Sequence, residues 1–329
     1  MVQMQERMEE NDMMNPILKK ELTLGSRTIR MPIALMFYNG FLAFIAVLIL
    51  FSACSYYYYG GGSMEYGALI AIFPTLASVQ MALICLIIPV ITASSVAGER
   101  EKQTLDILLT TPVTPRSIIF GKVWAALTNV FMFIISSLPS MAIAFLFGGL
   151  RWSYLAEFLV IILCISFFVG AVGIWCSSIF KKTVSSVIMT LVIELAFFVG
   201  TLILMGSIVL IQSLIAMRTN VAYDNIGMVP MIAMANPLSG FVDFLVYAMT
   251  GTGLMKGIFV DNMTASNVAG IVRTVSPYWC IPNLIVTILL GLFFVHQAAK
   301  AIDPVRSKAN RGSREKGQKH QKQPGHAGN

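Results

Sequence analysis

Charge is scarce in this chain: only 12% of its 329 residues are Asp, Glu, Lys or Arg, against roughly 25% in an ordinary soluble domain. With 57% hydrophobic residues and a mean hydropathy of +0.76, that deficit excludes a water-soluble globular fold, which could not hide so much apolar surface. Histidine is rarer still. Of the three, His320 and His326 lie in a polar C-terminal stretch and His296 stands alone, so no cluster of His, Cys and carboxylate exists for a metal or a catalytic nucleophile. The five cysteines, Cys54, Cys85, Cys164, Cys176 and Cys280, include no CxxC pair and lie in or beside apolar segments. They read as small packing residues rather than as a metal site or a disulfide framework. The chain also lacks a GxxxxGK[ST] phosphate loop: Gly121-Lys122 is followed by Val123 and has no glycine at the required place before it.

What is present is a set of long runs almost free of charge. A bilayer core about 30 Å thick takes roughly 20 apolar residues in a helix, whose backbone polar groups are satisfied internally. Six such runs occur, at about Pro32–Ala53, Ala68–Ala97, Ile118–Phe147, Tyr154–Phe180, Val184–Ala216 and Tyr278–Ala299. The fold expected is therefore an all-α polytopic membrane protein with six transmembrane helices, and residues 32–299 form the membrane domain. Residues 1–31 alternate Ile17, Leu18, Leu22 and Ile29 with charges at helical spacing, which suits an N-terminal helix lying in the headgroup plane or a solvated leader. Tyr56 to Tyr59 and Gly60 to Gly62 read as an interfacial loop. Residues 300–329, basic and almost without apolar side chains, read as a disordered tail.

Orientation follows from where the cations fall. Nineteen of the 23 Lys and Arg residues sit in the two termini and in the connections after the second and fourth runs, whereas only Arg151, Arg218, Lys256 and Arg273 lie on the other side. The positive-inside rule then puts both termini and the loops after spans 2 and 4 in the cytoplasm of a cell-membrane protein. Met228 to Met249 is apolar enough to suggest a seventh crossing, but it contains Asn236-Pro237 and Asp243, and a seventh crossing would carry the basic tail outside. Residues 217–277 are accordingly expected to be one external region holding a re-entrant or surface-lying helix.

The stretch richest in information is the loop 98–117. Leu105, Leu108 and Leu109 fall at i, i+3 and i+4 beside Asp106 and a charged Glu99-Arg100-Glu101-Lys102 turn, and Pro112 and Pro115 then stop the pattern. Two readings fit: a short amphipathic helix docked against a soluble partner, or an interfacial helix that merely joins two spans. Glu194, about ten residues into the fifth run, is the one firm intramembrane charge. A carboxylate there is costly and is a functional candidate by default, lining a pathway, bonding across an interface or bonding inside the bundle. Gly170, Gly173 and Ser177 in the fourth run, and Gly200 with Gly206 in the fifth, would permit close helix contact.

The loop resembles that of ABC-2 type transporter permeases, which reads Glu-Arg-Glu, a Gly-Thr-Leu-Glu-like turn, Leu-Leu-x-Thr-Pro-Val, then Gly-Lys opening the next span. Here Glu99-Arg100-Glu101, Thr104-Leu105-Asp106, Leu108-Leu109, Thr111-Pro112-Val113 and Gly121-Lys122 occur in that order, with Gln103 in place of Gly and Asp106 in place of Glu. The segment Asn15 to Glu21 and Asn236-Pro237-Leu238 are similar to the family as well. The resemblance implies a transport subunit, not an enzyme, whose loop is a cytoplasmic coupling helix. Glu99, Arg100, Glu101, Thr104, Leu105, Asp106, Leu108 and Leu109 would contact a separate ATP-binding subunit that holds ATP and Mg²⁺. It further implies a second permease subunit, identical or similar, and export as the direction of transport. The competing class is an ATP-independent channel or secondary carrier, which usually shows internal repeats and several midplane charges.

Overall fold

The computed structural model describes residues 29–60, 71–103, 115–148, 151–219, 228–254 and 279–302. Within them every regular element is a helix: α1 (Arg30–Gly60), α2 (Ile72–Glu101), α3 (Pro115–Gly148), α4 (Trp152–Ile179) and α5 (Thr183–Leu195). A π-helical turn (Ala196–Gly200) then leads into α6 (Thr201–Thr219), followed by α7 (Met228–Ala235), α8 (Pro237–Thr250) and α9 (Cys280–Ile302). Six stretches are long and apolar enough to cross a bilayer, α5, the π-turn and most of α6 together forming the fifth. The expected interfacial helix before residue 29, the leucine stripe of the loop 98–117 and the basic tail after residue 302 lie outside the described residues.

Helix ends depart from the apolar runs by up to about two turns. α1 continues through Tyr56–Tyr59 to Gly60, where a loop was expected, because aromatic side chains do not end a helix. α2 likewise runs past Ala97 to Glu101. Its Pro74 sits in the first turn, where the missing N–H has no intrahelical partner to lose, whereas Pro89 removes one backbone bond from the interior.

α4 is the axis of the bundle. It packs against α2, α3, α5, α8 and α9, and 67% of its most apolar stretch is buried, against 17% for α1 and 17% for the fifth span. α1 and the fifth span are therefore peripheral, and their exposed Phe, Leu and Ile side chains face the lipid or another protein chain. Small residues let α4 approach α2. A Cβ on Gly173 would overlap the Thr92 hydroxyl, and one on Gly170 would lie 3.7 Å from Thr92 Cγ2. The same is not true of Gly200 and Gly206, where a Cβ would meet nothing within 4 Å.

α7 and α8 form a helix broken at Asn236-Pro237 and packed against α9, the π-turn and α4. Asn236 caps α8, its Oδ1 accepting from Leu238 N at 2.9 Å with Pro237 at the first helical position. Gly251, at φ 74°, ends α8 in the left-handed conformation that favours glycine.

Candidate functional site

The last turn of α2 carries Glu99, Arg100 and Glu101, and each of these side chains reaches a different helix. Glu99 Oε1 lies 3.0 Å from Lys122 Nζ of α3. The Lys122 side chain is 1% exposed, and its ammonium also donates to the Ser95 carbonyl at 2.8 Å. A buried ammonium is tolerable only when paired and hydrogen-bonded in this way.

Arg100 points at the end of α4. Its Nη1 donates to Phe180 O at 3.2 Å and its Nη2 to Ser178 O at 3.1 Å. These carbonyls belong to the last turn, which has no intrahelical donors and carries the negative end of the helix dipole. Glu101 points at the start of α5, where its Oε2 accepts from Thr183 Oγ1 at 2.7 Å and its Oε1 from Thr183 N at 3.2 Å. Lys182, the residue before α5, makes no side-chain cap, so Glu101 supplies from another helix the acceptor that an N-terminus wants. The tight connection Phe180–Lys182 sets the negative end of α4 beside the positive end of α5, and the consecutive pair Arg100-Glu101 meets both with the matching charges.

A second tie lies one turn deeper. Ser177 Oγ donates to Ala93 O at 2.7 Å and accepts from Ala97 N at 2.8 Å and Val96 N at 3.0 Å, inserting an α4 side chain into the backbone ladder of α2. α2 ends at Glu101 and is followed by a turn to Gln103, whose φ of 58° is left-handed, with Lys102 N bonded to Gly98 O at 3.2 Å and Gln103 N to Arg100 O at 3.1 Å. Gly is the residue that takes this conformation without strain, which is the physical reason a glycine suits the position Gln103 occupies. Of the residues singled out in the sequence, Glu99, Arg100 and Glu101 thus come together at the base of the loop. Thr104, Leu105, Asp106, Leu108 and Leu109 lie outside the described residues. Lys122, Ser177 and Thr183 were not marked as site residues: Lys122 stood out only in the Gly121-Lys122 pair of the loop pattern, Ser177 only as a small residue permitting close helix contact, and Thr183 not at all.

Glu194 is buried, 4% exposed, on the side of α5 that packs against α2 and α4, and its Oε1 has no hydrogen-bond partner. Two residues later the helix widens into the π-turn. Phe198 O within that turn accepts from Asn236 Nδ2 at 3.2 Å, so the broken helix is held at the place where the fifth span departs from α-geometry. Asn283 of α9 completes the joint, its Nδ2 lying 2.9 Å from Asn236 O, 3.0 Å from Met234 O and 3.1 Å from Ser239 Oγ. The carbonyls freed by the break are thereby satisfied inside the protein, the condition for irregular backbone among spanning helices. Among the described residues no group of three or more His, Cys, Asp or Glu side chains is arranged to hold a metal ion.

Six helices long and apolar enough to cross a bilayer, with a charged turn opening a loop, define a multi-pass membrane protein. A family model described as ABC-2 family transporter protein matches residues 39–293, more than three quarters of the chain. A comparison with curated proteins gives no match. The chain belongs to the ABC-2 transporter family and is a membrane permease of an ABC transporter, a transport subunit rather than a catalytic one. Permeases of this family work with an ATP-binding subunit in a membrane complex.

Proposed function

We propose that this chain is the membrane half of an ATP-driven exporter in the cell membrane, moved by a separate ATP-binding subunit that docks on the loop 98–117. Both termini and the loops after α2 and α4 face the cytoplasm, on the strength of the Lys and Arg distribution. ATP and Mg²⁺ belong to the partner, and a second permease subunit, identical or similar, completes the membrane complex.

The observation that carries this reading is the set of ties at the base of the loop. Three consecutive side chains join α2 to α3, α4 and α5, so a displacement of the loop is delivered to four spans together rather than dissipated in one flexible connection. Leu105, Leu108 and Leu109 then supply the apolar face for the partner, with Asp106 and Thr104 beside them. Binding of nucleotide on the partner shifts the population between inward-open and outward-open arrangements through its differing contacts with this loop in each.

The test is a photo-reactive amino acid placed at Leu108 in living cells, with the same group at Glu157 near the opposite end of α4 as control. An adduct with an ATP-binding protein at Leu108 and none at Glu157 is the expected result. Absence of such an adduct from a correctly inserted chain would count against the docking role.

A further inference from the structure

We propose that Glu194 is a proton-exchange site inside a single protomer, supplied along the polar stripe of α5 from the end of the bundle where Thr183 meets Glu101. The inference goes beyond the coupling reading and does not depend on the partner. The inward-facing residues of α5 are Ser186, Thr190 and Glu194, spaced at i, i+4 and i+8 and so lying in one line along the helix. The outward-facing residues Val184, Ile188, Val192 and Leu195 are apolar and exposed. One turn before Ser186 the line begins at Thr183, whose hydroxyl is bonded to the exposed Glu101 carboxylate at 2.7 Å. It therefore starts in water and ends on a buried acid.

Two atoms along the stripe have unmet hydrogen-bonding capacity. Thr190 Oγ1 is engaged with Ser186 O at 2.8 Å, but Ser186 Oγ and Glu194 Oε1 are buried without a partner. The facing surfaces are small: Thr92 of α2 and Gly173 of α4 meet there, and a Cβ at Gly173 would stand 3.6 Å from Thr190 Cγ2. Among the described residues, the ionisable groups that face Glu194 from the helices packed on α5 are thiols, Cys85 of α2 and Cys176 of α4. Asp243 of α8 lies instead within range of Cys280 on α9. Thiols supply no positive charge, so an ionised Glu194 would be a buried carboxylate that faces no cation among the described residues, a costly arrangement. The step is the transfer of a proton from hydronium to the Glu194 carboxylate, giving the carboxylic acid and water, and its reversal when the seam opens to solvent. Charged and neutral forms fit the seam unequally, so proton uptake favours the arrangement in which α2, α4 and α5 are closed. The π-turn begins two residues away, which places that choice next to the joint holding α7 and α8.

The experiment is infrared difference spectroscopy of the full chain in lipid nanodiscs, recorded against bulk pH and after exchange into deuterium oxide. The expected result is a protonated-carboxyl band that responds to bulk pH, is lost in Glu194→Gln, and is shifted but retained in Glu194→Asp. In Thr190→Val its deuterium exchange should slow about fivefold, the rate equivalent of one hydrogen bond. Spectra of Glu194→Gln indistinguishable from those of the unsubstituted chain would overturn the proposal. So would an exchange rate unchanged by Thr190→Val. Should Glu194→Gln not fold, the shifted band of Glu194→Asp carries the same test, and an unshifted band overturns the assignment.

Discussion

Replacing Glu99 with glutamine keeps the length of the side chain and an oxygen for Lys122, but removes the negative charge 3.0 Å from that ammonium. Lys122, 1% exposed, has no route to water without moving α3, so the cost follows that of breaking a buried pair by deleting one partner, 3–5 kcal/mol. The lower end applies, about 3 kcal/mol, because Ser95 O still accepts from the ammonium. The converse change, Lys122→Met, retains an apolar stem of similar length. It leaves behind Glu99, whose side chain is 22% exposed and can turn to solvent, and so costs about 1 kcal/mol. The double variant should recover about half of the summed loss, with a coupling free energy of about 2 kcal/mol. Equilibrium unfolding of the four proteins in one detergent measures all three quantities. If Lys122→Met proves as damaging as Glu99→Gln, or if the two changes simply add, the pair does not hold α2 to α3 as described.

Three further outcomes follow from local geometry. Gln103→Gly relieves a left-handed residue and should stabilise the chain by about 1 kcal/mol, read as a rise in thermal midpoint. Gly173→Ala drives a Cβ into the Thr92 hydroxyl and should cost about 2 kcal/mol; Gly206→Ala, with open space around it, should stay within about 0.5 kcal/mol in the same assay. Asn283→Leu removes the donor to Met234 O and Asn236 O, which should destabilise the joint by about 3 kcal/mol. Hydrogen exchange should then accelerate in α7 and α8 while α4 stays protected.

The six spans were legible because a charge-free run of twenty or more residues has one stable solution in a bilayer, a helix. The close approach of Gly170 and Gly173 to a neighbour was legible for a similar reason, since small residues are where helices can meet. Helix ends were less so: α1 runs through Tyr56–Tyr59 because polarity change marks the membrane boundary, while helix ends are set by caps and glycine. The charged turn Glu99-Arg100-Glu101 stood out locally, but its ties to Lys122, Phe180 and Thr183 join residues about 20 to 80 positions apart, which no periodicity encodes. The π-turn has no sequence signature among apolar residues, and Asn283 gave only the weak signal of an amide inside an apolar run.

The central claim, that this permease is driven through the loop after α2, is tested most directly by affinity purification of the chain from its native host in mild detergent, with mass spectrometry of what accompanies it. The account predicts an ATP-binding protein in near-stoichiometric amount, lost when Leu105, Leu108 and Leu109 are changed to serine while the chain itself remains inserted and folded. Repeated recovery of a stable, folded chain without any ATP-binding protein, or retention of that protein by the triple variant, would contradict it.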